Sequence, residues 1–208
     1  MIFNFTHDYK FTTDISLNNK LIDVEKDTRL LGTIISDTLT WDKNIENIVR
    51  KSNSRMQLLH KISKFGASIE DMKIIYFSYI RSILEQSSNV WHTSLSQENE
   101  QNLERIQKSC LKLILKSKYE TYEKACNLLE IDDLKTSKQK LFEKFTVNNL
   151  NNPHFKNYFI KNKKDYNLRN PEKFKVTQAN TERFKKSTVI EMQKVLNKLH
   201  KEGKILMK

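Results

Sequence analysis

Apolar residues change their period at Trp41. Before it they come in brief runs: Ile2, Phe3 and Phe5; Phe11, Ile15 and Leu17; Leu21, Ile22 and Val24; then Leu30-Leu31-Gly32-Thr33-Ile34-Ile35. His7-Asp8 and Asn18-Asn19 separate them as turn formers, so residues 1–36 read as short strands. That is too little sheet to stand alone, and it must pack on something else. After Trp41 the steps become helical. Ile45, Val49, Ser52, Met56, Leu59 and Ile62 share one face, with Thr40 placed to cap the start and Gly66 to supply a left-handed end. Ser68-Ile69-Glu70-Asp71 opens a second helix through about Gln86 in a capping-box-like pattern. Its inward face is Ile69, Met72, Ile75, Tyr76, Tyr79, Ile80 and Ile83.

Ser96 caps a third helix to about Lys116, with Leu103, Ile106, Cys110, Leu113 and Ile114 inward. Thr121 caps a short one, Tyr122 to Leu129. Asp132 is placed to cap a fifth, from Asp133 to about Leu150, with Leu134, Leu141, Phe142 and Phe145 inward, until Asn151-Asn152-Pro153 stops it. Residues 154–180 follow neither period and read as extended or irregular chain; a last amphipathic helix runs from about Thr181 to Leu199. The expected fold is mainly α: a helical bundle with a small N-terminal antiparallel β element and a basic, partly irregular C-terminal arm ending in a helix. Three regions follow, 1–40, 41–150 and 151–208.

Three glycines and two prolines in 208 residues are too few for the turns of a sandwich or barrel. Gly32, Gly66 and Gly203 stand alone, so there is no Gly-rich phosphate cradle. No window approaches the ~18–20 apolar residues of a membrane span. Met1 to Lys10 lacks a basic stretch followed by an apolar one, so no secretory signal is expected. Cys110 and Cys126 form no C-x-x-C pair and read as free thiols of a reducing, intracellular compartment, nuclear or cytoplasmic. Charge changes the picture most. Residues 1–104 hold 12 Lys and Arg against 14 Asp and Glu, while residues 105–208 hold 25 against 11. Such a half suits a polyanion, nucleic acid first and an anionic membrane surface second; a solvated basic surface without a partner is the competing explanation.

Catalytic patterns are missing. Asp132-Asp133 is the one acidic pair that tempts a metal-site reading, but between two helices an Asp N-cap explains it. His7, His60, His92, His154 and His200 form no H-x-x-x-H or H-E-x-x-H pattern, and no G-x-S-x-G occurs. No catalytic residue, metal site or small-molecule substrate is expected. Two stretches suit nucleic acid instead. Helix 43–64 carries Lys43, Arg50, Lys51, Arg55, Lys61 and Lys64 off its apolar stripe, where cations can follow phosphates or simply keep the helix soluble. In residues 155–186, Phe155, Tyr158, Phe159, Tyr166, Phe174 and Phe184 alternate with lysines and arginines. Rings there can stack on bases, or they can anchor the arm to the helical body.

Several segments resemble one family. Leu30-Leu31-Gly32-Thr33-Ile34-Ile35-Ser36-Asp37 with Leu39-Thr40-Trp41-Asp42 is similar to the segment closing the palm of reverse transcriptases of non-LTR (LINE-type, jockey-like) retrotransposons. Ser54-Arg55-Met56-Gln57-Leu58-Leu59, Ile80-Arg81-Ser82-Ile83-Leu84-Glu85-Gln86-Ser87 with Val90-Trp91-His92, and Leu103-Glu104-Arg105-Ile106-Gln107-Lys108 resemble that family's thumb. Tyr166-Asn167-Leu168-Arg169 with Ala179-Asn180-Thr181-Glu182-Arg183-Phe184 resembles the stretch after it. The resemblance implies that 1–40 is a residual palm end and 41–150 a thumb-like bundle. It also implies that the family's catalytic hairpin, a Tyr-x-Asp-Asp motif that with an earlier Asp binds two Mg²⁺ ions, precedes this chain. Asp132-Asp133 lies in the wrong context to replace it.

The expectation is therefore a polymerase-derived fragment without cofactor or catalysis, retaining a non-sequence-specific grip on RNA or an RNA–DNA hybrid. Lys51, Arg55 and Lys61 of the first long helix and Arg169, Lys175 and Arg183 of the arm would make the contacts. Two alternatives are a part of a complete, active reverse transcriptase and an inert pseudogene product. Leu31 to Glu85 also resembles a short helical segment at the front of the eighth AlkB-homologue tRNA-modifying enzymes. The H-x-D pair that an iron dioxygenase needs does not occur here.

Overall fold

The computed structural model describes residues 16–21, 25–162 and 173–204. The runs before Ser16, Ile22 and Val24, and Tyr166 and Arg169 lie outside them. Among the described residues the fold is mainly helical with two small antiparallel hairpins. In the first, β1 (Ser16–Leu17) pairs with β2 (Lys20–Leu21). In the second, β3 (Asp27–Leu30) pairs with β4 (Thr33–Ser36), Leu30 opposite Thr33. Both connections are two-residue turns with positive φ at each position, Asn18 (51°) and Asn19 (60°), then Leu31 (48°) and Gly32 (87°), the twist that two-residue hairpins favour. Leu30–Ile35 is thus a strand end, a turn and a second strand rather than one run. A Cβ on Gly32 would come 2.7 Å from Gln86 Nε2, so the turn's glycine also permits a close approach to the helical body.

α1 (Asp42–Lys64), 23 residues long, starts at Trp41 without a side-chain cap. Thr40 is not the cap, because its hydroxyl is within hydrogen-bond distance of those of Ser36 and Thr38. At the other end Gly66 takes φ 82°, and the Ala67 and Gly66 amides donate to Ile62 and Ser63, a left-handed C-terminal closure. α2 (Ile69–Ile75), a π-helical turn (Tyr76–Arg81) and α3 (Ser82–Leu84) follow without a break, Ser68 accepting from the Asp71 amide. A short α4 (Ser88–Trp91) and a 3₁₀ turn lead to α5 (Gln97–Leu115), capped by Ser96, and α6 (Tyr122–Leu129), capped by Thr121. α7 (Leu134–Asn148) is capped by Asp133, whose carboxylate accepts from the Thr136 amide. The cap lies one residue beyond Asp132, which instead receives two hydrogen bonds from Lys140.

The predicted last helix is two. α8 (Glu182–Lys185) and α9 (Thr188–Lys201) are separated at Ser187, which is extended (φ −66°, ψ 148°). With glycine scarce, Ser87 (φ 54°) and Glu130 (φ 55°) take left-handed conformations at helix boundaries, each costing about 1 kcal/mol or more for an L-residue.

Two cores result. The larger joins α1 through α6 around Ile45, Leu59, Met72, Tyr76, Ile80, Leu84, Trp91, Leu103 and Leu111. The smaller gathers Phe142 of α7, Phe159 and Phe174 of the arm, and Met192, Val195, Leu196 and Leu199 of α9. Leu141, expected inward, is 38% exposed. Two amides one turn apart on α9 hold the arm down. Buried Asn197 accepts from the Phe174 amide (2.8 Å) and donates to its carbonyl (3.0 Å). Gln193 accepts from the Thr177 amide and donates to Tyr158 O (2.7 Å). The described part of the arm before α8 has little secondary structure of its own, so α9 supplies the partners its buried backbone requires.

Candidate nucleic-acid interface

Lys51 and Arg55 lie one turn apart on the flank of α1 and are half-buried. Arg55 is held from outside its own helix: Nη1 donates to Tyr79 O (2.7 Å), and the guanidinium carbon stands 4.3 Å from the centroid of the Tyr79 ring. Tyr79, assigned inward from its spacing, is 46% exposed. The π-helical turn explains the change. Closing i→i+5 rather than i→i+4 widens the turn, so Ile80 and Arg81 come back beneath Tyr76 while Tyr79 swings out; Tyr76, Ile80 and Arg81 are all buried. Phe77, also in the turn, is 40% exposed.

The other predicted contacts are dispersed. At about 100° per residue, Lys61 sits roughly a third of a turn around α1 from Arg55, exposed. Lys175 is exposed beside the buried Phe174, its amide donating to Ile160 O. Arg183, also exposed, lines a cavity of about 260 Å³ at the N-terminal ends of α1 and α5, with Trp41, Ser94, Asn99, Glu182 and Lys186 among its walls. Arg169 lies outside the described residues. Among those residues Lys51, Lys61, Lys175 and Arg183 form no ion pair.

The aromatic residues of the arm divide. Phe174 (1% exposed) and Phe159 (8%) are core, and Phe155 packs edge-on to Phe145 at 6.1 Å between centroids. All three anchor the arm, and burial rules out base stacking for Phe159 and Phe174. Tyr158 and Phe184, 49% and 46% exposed, keep rings at the surface.

Among the described residues two cations, Arg81 and Lys138, are internal. Arg81, 3% exposed, donates to Glu85 Oε1 (2.6 Å), Gln107 Oε1 (2.6 Å) and Asp132 O (2.9 Å). Gln107 is the hub: its Oε1 also accepts from the Tyr76 hydroxyl (2.6 Å), and its Nε2 donates to Tyr122 and Asp132 O. The Tyr122 hydroxyl donates in turn to Glu104, which the Leu134 amide also approaches. Burial pushes the Tyr76 phenol well above its usual range, so it stays a donor. Sequence reading placed Arg81, Glu85, Glu104 and Gln107 in thumb-like segments and Tyr76 on an inward face, without revealing that they meet. Lys138, 4% exposed, lies with Nζ 5.5 Å from the Trp91 ring. Burial lowers its pKa against the pull of Glu100, Glu104 and Glu85.

The acidic pair does not fit a metal. Asp133 spends both carboxylate oxygens on Thr136 and Asp132 both on Lys140. Burial pushes the Cys110 thiol up to about 12, the state of an unreactive core cysteine. No helix among the described residues is long and apolar enough to cross a membrane. No protein-family model matches the chain, and neither a curated protein nor a solved structure matches it.

Proposed function

We propose that the protein is a non-catalytic, sequence-tolerant binder of RNA or RNA–DNA hybrid, a thumb-like remnant of a non-LTR retrotransposon reverse transcriptase acting in the nucleus or cytoplasm. One observation carries the binding: Lys61, Lys175 and Arg183 are exposed and form no ion pair among the described residues, in a chain whose latter half holds 25 Lys and Arg against 11 Asp and Glu. An A-form hybrid offers a wide, shallow minor groove, where contacts fall on backbone and 2′-hydroxyls. The polymerase origin rests on the order of the similar segments alone.

Anisotropy titrations with labelled RNA and hybrid across a salt series test this. Affinity should fall linearly on log–log axes, and Lys51→Ala or Arg183→Ala should each reduce the slope by about one phosphate contact. Absence of binding at low salt overturns the proposal. Exposed Leu17, Leu21, Leu30 and Leu31 on the two hairpins favour a second reading, in which a catalytic palm covers them in a longer, active polymerase. An in-frame Tyr-x-Asp-Asp coding run upstream of Met1 would decide for it.

A further inference from the structure

We infer that Tyr79 and Arg55 form a base-stacking platform, so that the ligand gripped by α1 is an unpaired nucleotide strand rather than a blunt duplex. The inference rests on the nucleic-acid reading above and narrows it.

A lysine on a helix flank can follow phosphates of any strand, but a ring at the surface does something else. Stacking on a base requires a free base face, which an unpaired strand offers at every nucleotide and a blunt duplex offers only at its two end pairs. Tyr79 supplies such a ring at 46% exposure. It occupies this position only because the π-helical turn directs it outward while Tyr76 and Arg81, at the ends of the same turn, are fastened into the buried Gln107 network. That fastening gives the turn a fixed geometry and the ring a rigid base. The Arg55 guanidinium, bonded to the Tyr79 carbonyl, lies over one face of the ring, 4.3 Å from its centroid, so a base can stack on the outer side of the guanidinium or on the ring's other face. Lys51, one turn back along α1, is placed for the adjoining phosphate. Positive charge beside an exposed ring matches a polyanion that carries π-faces.

The carbonyl that holds Arg55 belongs to the backbone, so Tyr79→Ala removes the ring and leaves the arginine its partner. The test measures anisotropy with a labelled single-stranded RNA oligonucleotide and with a blunt RNA–DNA hybrid. It uses the full chain as wild type, Tyr79→Ala and Tyr79→Trp, each first shown to melt as wild type does. Loss of one stacked base predicts roughly 5- to 150-fold weaker single-strand binding for Tyr79→Ala, with an unchanged salt slope and less than about twofold change on the hybrid. Tyr79→Trp should bind at least as tightly as wild type. Single-strand affinity unaltered in Tyr79→Ala, or lowered equally on both ligands, overturns the platform while leaving the general reading standing. Wild-type protein that binds neither ligand ends both.

Discussion

Replacing Gln107 with Leu removes four hydrogen bonds in one step, and the structure shows which partners can bear it. Asp132 O still accepts from Arg81, Tyr122 still donates to Glu104, and Arg81 keeps Glu85. The Tyr76 hydroxyl, on a residue 0% exposed, has Gln107 as its acceptor and is left bare. An orphaned buried hydroxyl costs about 1–3 kcal/mol, and the lost charge-assisted bond to Arg81 about 1.5–3 kcal/mol more. Gln107→Leu should therefore destabilise by roughly 3–5 kcal/mol. Tyr76→Phe alone should cost about 1 kcal/mol, because Gln107 keeps Arg81 as a donor. In the double variant the orphan no longer exists, so its cost should fall short of the sum by about 1–2 kcal/mol. Urea unfolding followed by circular dichroism and by tryptophan fluorescence, with coincident transitions and equal slopes, measures all four proteins. Additivity within about 0.5 kcal/mol would refute the view that Gln107 is the buried acceptor of the Tyr76 hydroxyl.

Two further outcomes follow from the same geometry. His92 sits 4.6 Å from the Phe142 ring with Nδ1 3.0 Å from Ser88 O, and burial, aided by the Lys138 charge, lowers its pKa to about 4. The unfolded chain takes up this proton below about pH 6.5 and the folded one does not, so stability should fall between pH 6.5 and 4 and level off below, by roughly 3 kcal/mol in all. His92→Gln should flatten that window, and parallel pH profiles for the two proteins would contradict the assignment. Asp133→Ala removes the cap of α7 and should cost about 1 kcal/mol. Asp132→Ala, losing an exposed pair with Lys140, should cost less than about half of that; the reverse order in thermal melts would return the cap to Asp132.

Much of the local architecture was legible because its causes are local. Ser96, Thr121 and Gly66 act within one turn of themselves, and the face of Ile45, Ser52 and Leu59 follows from period alone. Thr40 misled because its hydroxyl had a competing cluster in Ser36 and Thr38, which spacing cannot display. Asp132 and Asp133 are equally good caps in composition, and a lysine eight residues on decided between them. The candidate site was legible only as charge. Lys61, Lys175 and Arg183 are exposed, but Tyr79 was assigned to the wrong side, since Ile74-Ile75-Tyr76-Phe77-Ser78-Tyr79-Ile80 is apolar nearly all round and sets no unique face.

By itself the chain's order of residues determined that the protein is helical, where α1, α5, α6 and α7 begin and end to within a residue or two, and that its positive charge gathers in the second half. These are sums of short-range preferences and of composition. Tertiary structure alone decided which cations are spent inside, as Arg81 and Lys138 are, and which rings are core, as Phe159 and Phe174 are. It also decided that a π-helical turn sends Tyr79 outward. Each of those outcomes depends on partners 15 to 51 positions away, among them Gln107 on α5 and Asn197 on α9, and a residue's neighbours along the chain carry no record of partners that only packing brings near.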